Sequence, residues 1–183
     1  QLIRLAGITN PPVEPIIGSP QEWNYRSELQ FHLSESGAPG FMAAGSDRII
    51  EIQECHLPMP GIDSVWPQLD FEEEPTVRRV EIMQGSDEQV LVTLQGENDL
   101  PELELDLPVS VVYQNEQADW ILAGDPYILM KVKEHVFSVS AGSFFQVNPY
   151  LVPRMVDEIL TNQRLDPSFT VMDLYCGVGL FSA

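Results

Sequence analysis

Two short stretches of the chain carry residue types that could do chemistry. The first is Asp173-Leu174-Tyr175-Cys176-Gly177-Val178-Gly179. It follows the compact apolar run from Phe169 to Leu174, which reads as a strand ending in an acid and then a Gly-x-Gly turn. Such a turn brings backbone close to a ligand at the carboxyl edge of a parallel sheet. The spacing is not the full dinucleotide fingerprint, because positions 177, 179 and 182 are Gly, Gly and Ser. No lysine follows, so it is not a nucleotide-triphosphate loop either. A ligand turn and a tight structural turn both remain open on spacing alone. The second stretch is Ser143-Phe144-Phe145-Gln146-Val147-Asn148. Two aromatics and two amides before a helix fit a strand end with core phenylalanines and a cap. They equally fit an aromatic–amide pair facing a planar ligand.

The elements that must position these residues fall into two textures. Leu29, Phe31 and Leu33 alternate with Glu28, Gln30 and His32, the period-two pattern of a half-buried strand over Arg26–Leu33. Phe41–Ala44 and Arg48–Glu54 read as partner strands after glycine-bearing turns. A short helix is expected around Ile62–Leu69. Val77–Met83, Gln89–Gln95, Val109–Tyr113, Trp120–Leu122, Tyr127–Val132 and Glu134–Ser140 read as further strands. Leu103, Leu105 and Leu107 suit a strand or one side of a helix stopped by Pro108. From residue 151 the period changes. Leu151, Val152, Met155, Val156, Ile159 and Leu160 define an amphipathic helix, with Asn148 as cap and Pro149 at its first position. Pro153 then requires a later start or a distorted first turn. The expected fold class is α+β. Residues 1–140 form a mainly antiparallel β domain, and residues 141–183 are the truncated opening of a Rossmann-like domain.

Charge and composition limit the function classes. Nine Lys and Arg face 28 Asp and Glu in 183 residues, a net charge of −19. Residues 51–130 alone hold eighteen acids against Arg78 and Arg79. Taken alone, this disfavours phosphate binding and fits a solvated, self-repelling surface. Arg26, Arg48, Lys131 and Lys133 are scattered cations that could reach an RNA backbone. No apolar run reaches eighteen residues and no leader pattern opens the chain, so neither a transmembrane helix nor a signal peptide is expected. Two cysteines, Cys55 and Cys176, are too few for a disulfide scaffold, and a reduced, cytoplasmic protein is the expectation. His32, His56 and His135 share no metal-ligand spacing.

The two chemical motifs, in this order, resemble those of the RNA 5-methyluridine methyltransferases. Phe144–Asn148 and Asp173–Ser182 are the core of the likeness. It extends upstream to Trp23-Asn24-Tyr25-Arg26-Ser27-Glu28-Leu29-Gln30-Phe31, Gly40-Phe41 and Ile49–Cys55. The acidic stretch from 60 to 125 carries none of it. The resemblance implies transfer of a methyl group from S-adenosylmethionine to uracil C5 in tRNA or ribosomal RNA. It assigns Asp173, Tyr175, Gly177 and Gly179 to the cofactor, Gln146 to cofactor and substrate, and Phe145 to the uracil site. It places the nucleophilic cysteine and the base well past the glycine motif. The chain is therefore expected to be a fragment without catalytic residues, inactive by itself and without bound cofactor. Cys176 is expected as a buried or half-buried thiol and not as the nucleophile. Cys55 matches the last of four cysteines that hold a 4Fe-4S cluster in some members. Alone it cannot hold a cubane, so a free thiol is expected here.

Two alternatives stand beside this reading. One is a non-catalytic RNA- or protein-binding scaffold module, and the other a methyltransferase of the same architecture with a different substrate. For the tail at 164–183 three fates are open: pairing with an edge of the β domain, pairing with a second copy as a homodimer, or fraying.

Overall fold

A computed structural model of the chain describes residues 4–5, 7–9, 13–72, 75–97, 100–101, 103–104, 106–162, 168 and 170–183. Strands β1 (Glu28–Leu33), β2 (Pro39–Met42) and β3 (Ile49–Glu51) come first. Helix α1 (Pro60–Val65) follows and runs into a 3-10 turn at Trp66–Gln68. Then come β4 (Val77–Gln84), β5 (Val90–Gly96), β6 (Ser110–Gln114) and β7 (Asp119–Ala123). The hairpin β8 (Tyr127–Val132) and β9 (His135–Ser140) precedes helix α2 (Val152–Asn162). One seven-stranded sheet runs in the order β3-β2-β1-β4-β5-β6-β7, and β8-β9 forms a second, two-stranded sheet.

Every neighbouring pair in the large sheet is antiparallel except β5–β6. A parallel pair needs a long crossover, and residues 97–109 supply it. The strand or helix side expected around Leu103–Leu107 is neither. Residues 103, 104, 106 and 107 are irregular, and Leu105 lies outside the described residues.

Period-two alternation places Leu29, Phe31, Val80, Ile82, Val92 and Tyr113 on one face of the sheet. Ile62, Val65 and Trp66 close this first core from α1 and its 3-10 turn. Phe31 and Trp66 meet with ring centroids 5.2 Å apart. The opposite face is also apolar at its centre, where Met83, Leu91 and Val112 are buried. The β8–β9 hairpin covers them with Ile128, Met130, Phe137 and Val139, and Phe145, Val152 and Leu180 complete this second core. Residues on both sides of position 140 thus share one packed interior.

Beside the second core lies a polar row in register, Gln30–Glu81–Thr93. Glu81 is buried and accepts a 2.6 Å bond from the Gln30 amide, whose oxygen takes a bond from Arg79. Burial, followed by the neighbouring Glu81 charge, holds the Glu28 carboxyl above the usual carboxylate range, with Arg26 and Arg79 opposing.

Helix α2 shows how the chain accommodates Pro153. The backbone oxygen of Asn148 accepts from Leu151 N (3.1 Å) and Val152 N (3.3 Å), so a leading turn precedes the regular helix. Pro153 then stands at the second helical position, where its missing N–H has no intrahelical partner to lose. In the sequence Asn162 and the Asp166-Pro167 pair mark the expected end of this helix; the helix is described to Asn162, and Asp166 and Pro167 lie outside the described residues.

The strand expected over Phe169–Leu174 is not formed across 170–174, and Phe169 lies outside the described residues. A strand needs a partner for its amides, and none of the described strands runs alongside. Val171, Met172 and Leu174 are exposed. The tail is instead held by side chains, with Leu180 buried in the second core and Val178 packed against it.

Glu28 gives a pH test. Its raised native value means that ionisation costs stability, so its contribution is full in acid and lost as pH rises through that value. Glu28→Gln should raise the urea midpoint at pH 7 and leave it nearly unchanged below pH 4. A midpoint lowered by the substitution at pH 7 would contradict the account.

Candidate functional site

The first side of the site is an arm, residues 141–151, between β9 and α2. Gly142 turns the chain at φ 72°, close against the Gln114 side chain, where a Cβ would crowd Oε1 at 2.9 Å. The arm then runs to the start of β1. Ser27 N and Ser27 Oγ both donate to Val147 O, at 2.8 and 3.2 Å. Ser27 is buried, and its own carbonyl accepts from Gln84 N at 2.9 Å, tying the arm to β1 and β4 together. Asn148 is held twice. Its Nδ2 donates to Ser19 Oγ (3.1 Å), and its Oδ1 accepts from Tyr150 N (3.2 Å). Phe145 points inward, 5% exposed, with its ring 6.1 Å from Phe137. Phe144 points outward and is exposed.

The second side is the glycine turn. Tyr175, Gly177 and Gly179 have φ of 61°, 56° and 81°. Three left-handed residues in five coil the backbone tightly, and Gly179 N donates to Cys176 O at 2.9 Å. Tyr175 is a non-glycine in that region and is fully exposed. A Cβ built on Gly177 meets nothing within 4 Å, so only its φ favours glycine there and the space above it is open.

Arm and turn face each other across a cleft of about 220 Å³. Phe144, Phe145 and Gln146 line it from the arm, and Asp173, Leu174, Tyr175, Cys176, Gly177, Leu180 and Phe181 from the turn segment. Of the residues singled out in the sequence, Phe145, Gln146, Asp173, Tyr175 and Gly177 come together here. Gly179 lies outside the lining and shapes the turn. Asp173 Oδ2 is buried without a hydrogen-bond partner. An unpaired buried carboxylate oxygen is costly. It fits a ligand that brings a hydroxyl or ammonium donor, while the exposed Phe144 ring and the open backbone at Gly177 fit a planar group.

One expectation about cysteine changes. Cys176 is exposed, not buried, because it sits on the coiled turn with no strand packed against it. Cys55 is half-buried against the first core, whereas the cleft grows from the second. Among the described residues no group of three or more His, Cys, Asp or Glu is placed to hold a metal ion. Cys55 is a free thiol, and one sulfur alone does not fit a cubane, which needs several. Lys133 pairs with Asp157 on α2 and is not a free cation. No helix among the described residues is long and apolar enough to cross a membrane.

Comparison with known proteins shows what the chain is similar to. No protein-family model matches the chain. It is 29% identical over 200 residues to an uncharacterised RNA methyltransferase of Streptomyces coelicolor, covering 100% of this chain and 43% of that one. It is 29% identical over 217 residues to an uncharacterised RNA methyltransferase of Halalkalibacterium halodurans, covering 99% and 47%. A solved tRNA (uracil-54, C5)-methyltransferase of Pyrococcus abyssi, in complex with S-adenosyl-L-homocysteine, superposes with a TM-score of 0.71 at 20% identity. That match covers 98% of this chain and 49% of the other, and it shows a shared fold. The chain thus matches RNA methyltransferases in sequence along its whole length, and it spans about half the length of those relatives.

The Ser27 bond was not readable in the sequence, because a lone serine before a strand signals nothing. Ser27→Ala removes one of the two donors to Val147 O. A neutral hydrogen bond nets about 1 kcal/mol, so exchange of the residue-27 amide, which donates to the same carbonyl, should accelerate about fivefold. Exchange in β4 and β5 should stay unchanged, and Ser27→Thr should restore protection. Unchanged exchange of the residue-27 amide would show that the hydroxyl does not hold the arm.

Proposed function

We propose that this chain is the central β domain and the opening of the cofactor domain of an S-adenosylmethionine-dependent RNA methyltransferase that modifies uracil C5. The observation that carries the reading is the buried, unpaired Asp173 Oδ2 beside the open glycine turn, across the cleft from Phe145 and Gln146. The likeness to RNA methyltransferases supports it.

In this reading each residue has a definite task. Asp173 accepts from a hydroxyl or amine donor of the cofactor. Tyr175 and Gly177 give the turn its left-handed coil, so that backbone and not side chain meets the ligand. Gly179 closes the coil. Gln146 offers an amide with both donor and acceptor atoms, matched to the edge of a uracil or to the cofactor. Phe145, fixed in the second core, sets where Gln146 stands and lines the base site. Adenosylmethionine, when bound, supplies a methyl group on a sulfonium sulfur. Uracil C5 becomes nucleophilic only when a thiolate adds at C6, and a base must then take the C5 proton. Cys176 belongs to the cofactor turn and Cys55 to the other core, so we assign the thiolate's role to neither; the resemblance places both the thiolate and the base past the glycine motif.

The test has two arms. S-adenosylhomocysteine added to the 183-residue chain should bind weakly, shifting the amide resonances of 173–179 and the Gln146 side-chain amide, and Asp173→Ala should suppress the shifts. Radiolabelled methyl transfer to unmodified tRNA or ribosomal RNA should stay at the no-protein level for this chain. It should appear at uracil C5 for the protein at the length of its relatives. Ligand shifts confined to other parts of the chain, or turnover by the 183 residues alone, would overturn the assignment.

A further inference from the structure

Trp23 is 58% exposed, while Trp66 is buried and Trp120 packs half-buried against the first core. The backbone that follows the indole is nevertheless tied down. The next residue, Asn24, stands at φ 53° and is tied twice. Its backbone N–H donates to His56 O (2.9 Å) and its side-chain amide to Pro58 O (3.0 Å). Arg26 N donates to Leu57 O and Met59 N to Arg26 O, both at 2.8 Å, so residues 24–26 lie as a ribbon against 56–59. This ribbon sets Trp23 edge-to-face with His56, ring centroids 5.9 Å apart and 83° between planes. A large aromatic kept in water on a rigid mount is a feature that packing does not explain.

The mount is continuous with the cleft. Ser27 follows Arg26 and holds Val147, the neighbour of Gln146. Trp23 stands four residues before Ser27, at most about 14 Å of extended chain. On the same flank Ser19 takes the bond from Asn148.

We propose that Trp23 is a stacking site for an unpaired nucleobase of the RNA strand whose target nucleotide enters the cleft. The proposal rests on the reading of the cleft as an RNA-modifying site. Stacking suits this protein better than phosphate pairing. The chain carries a net charge of −19, and a base on an aromatic ring needs no cation. Because every base has a π-face, the site adds affinity and holds the strand's path without reading sequence.

The experiment uses tryptophan emission and a short, single-stranded oligoribonucleotide of mixed sequence. Titration should quench the wild-type chain saturably and leave Trp23→Phe, which keeps Trp66 and Trp120, nearly unquenched. Anisotropy of the labelled oligonucleotide should show Trp23→Ala binding about tenfold more weakly, with Trp23→Phe between. Thermal midpoints of the variants should match wild type, as expected for a surface ring. Equal binding by Trp23→Ala, no quenching, or no binding of the oligonucleotide at all would overturn the proposal. So would wild-type emission that changes with protein concentration alone, which would place a second copy of the chain on the indole. The reading of the cleft is judged separately by the S-adenosylhomocysteine shifts at 173–179, which these variants should leave unaltered.

Discussion

Burial of the central strands on both faces is the constraint from which the rest of the structure follows. Strands β4, β5 and β6 put Ile82, Val92 and Tyr113 into one core and Met83, Leu91 and Val112 into the other, all at 2% exposure or less. Each such side chain is worth about 1.5–3 kcal/mol when buried. Helix α1 covers the first face. The second face needs a cover from further along the chain, and it recruits the β8–β9 hairpin, Phe145, Val152 and Leu180. The cleft is formed by what those anchors leave outside. Phe145 goes in and Gln146 stays at the rim, while Leu180 goes in and the coiled turn before it stays in solvent.

This arrangement gives the site a rigid side and a looser one. The arm is fixed by buried Phe145, by two bonds from Ser27 and by Asn148. The turn is held by Leu180, Val178 and its own short hydrogen bonds, and most of its other side chains face water. A ligand that satisfies Asp173 would tie the looser side to the rigid one. The Trp23 ribbon grows from the rigid side, so a strand resting there would be registered against Gln146 and not against the turn.

Much of this was legible in the residues. The alternation of Leu29, Phe31 and Leu33 marks β1, and the three- and four-residue spacing from Val152 to Leu160 marks α2. Phe144–Asn148 and Asp173–Gly179 were separable as a pair of motifs because their residue types are unusual in sequence, and the fold brings them to one cleft. What local pattern hides is which strands are neighbours. Val109–Tyr113 reads as a strand without revealing that it lies parallel to β5. The apolar run ending at Leu174 reads as a strand because pattern reports a tendency, whereas a ladder also requires a partner. Cys176 was expected inside for the same reason. Ser27 was invisible because its partner, Val147, is 120 residues away.

The central claim is that arm and turn are anchored as one unit on the second face of the sheet. Leu180→Ala tests it most directly, with amide hydrogen exchange followed residue by residue. The account predicts faster exchange both in the turn at 176–183 and at the Ser27 amide that binds the arm through Val147 O, with β1 and β2 unchanged. Acceleration confined to the turn, with the Ser27 amide as slow as before, would show that the two sides are held independently and would contradict it.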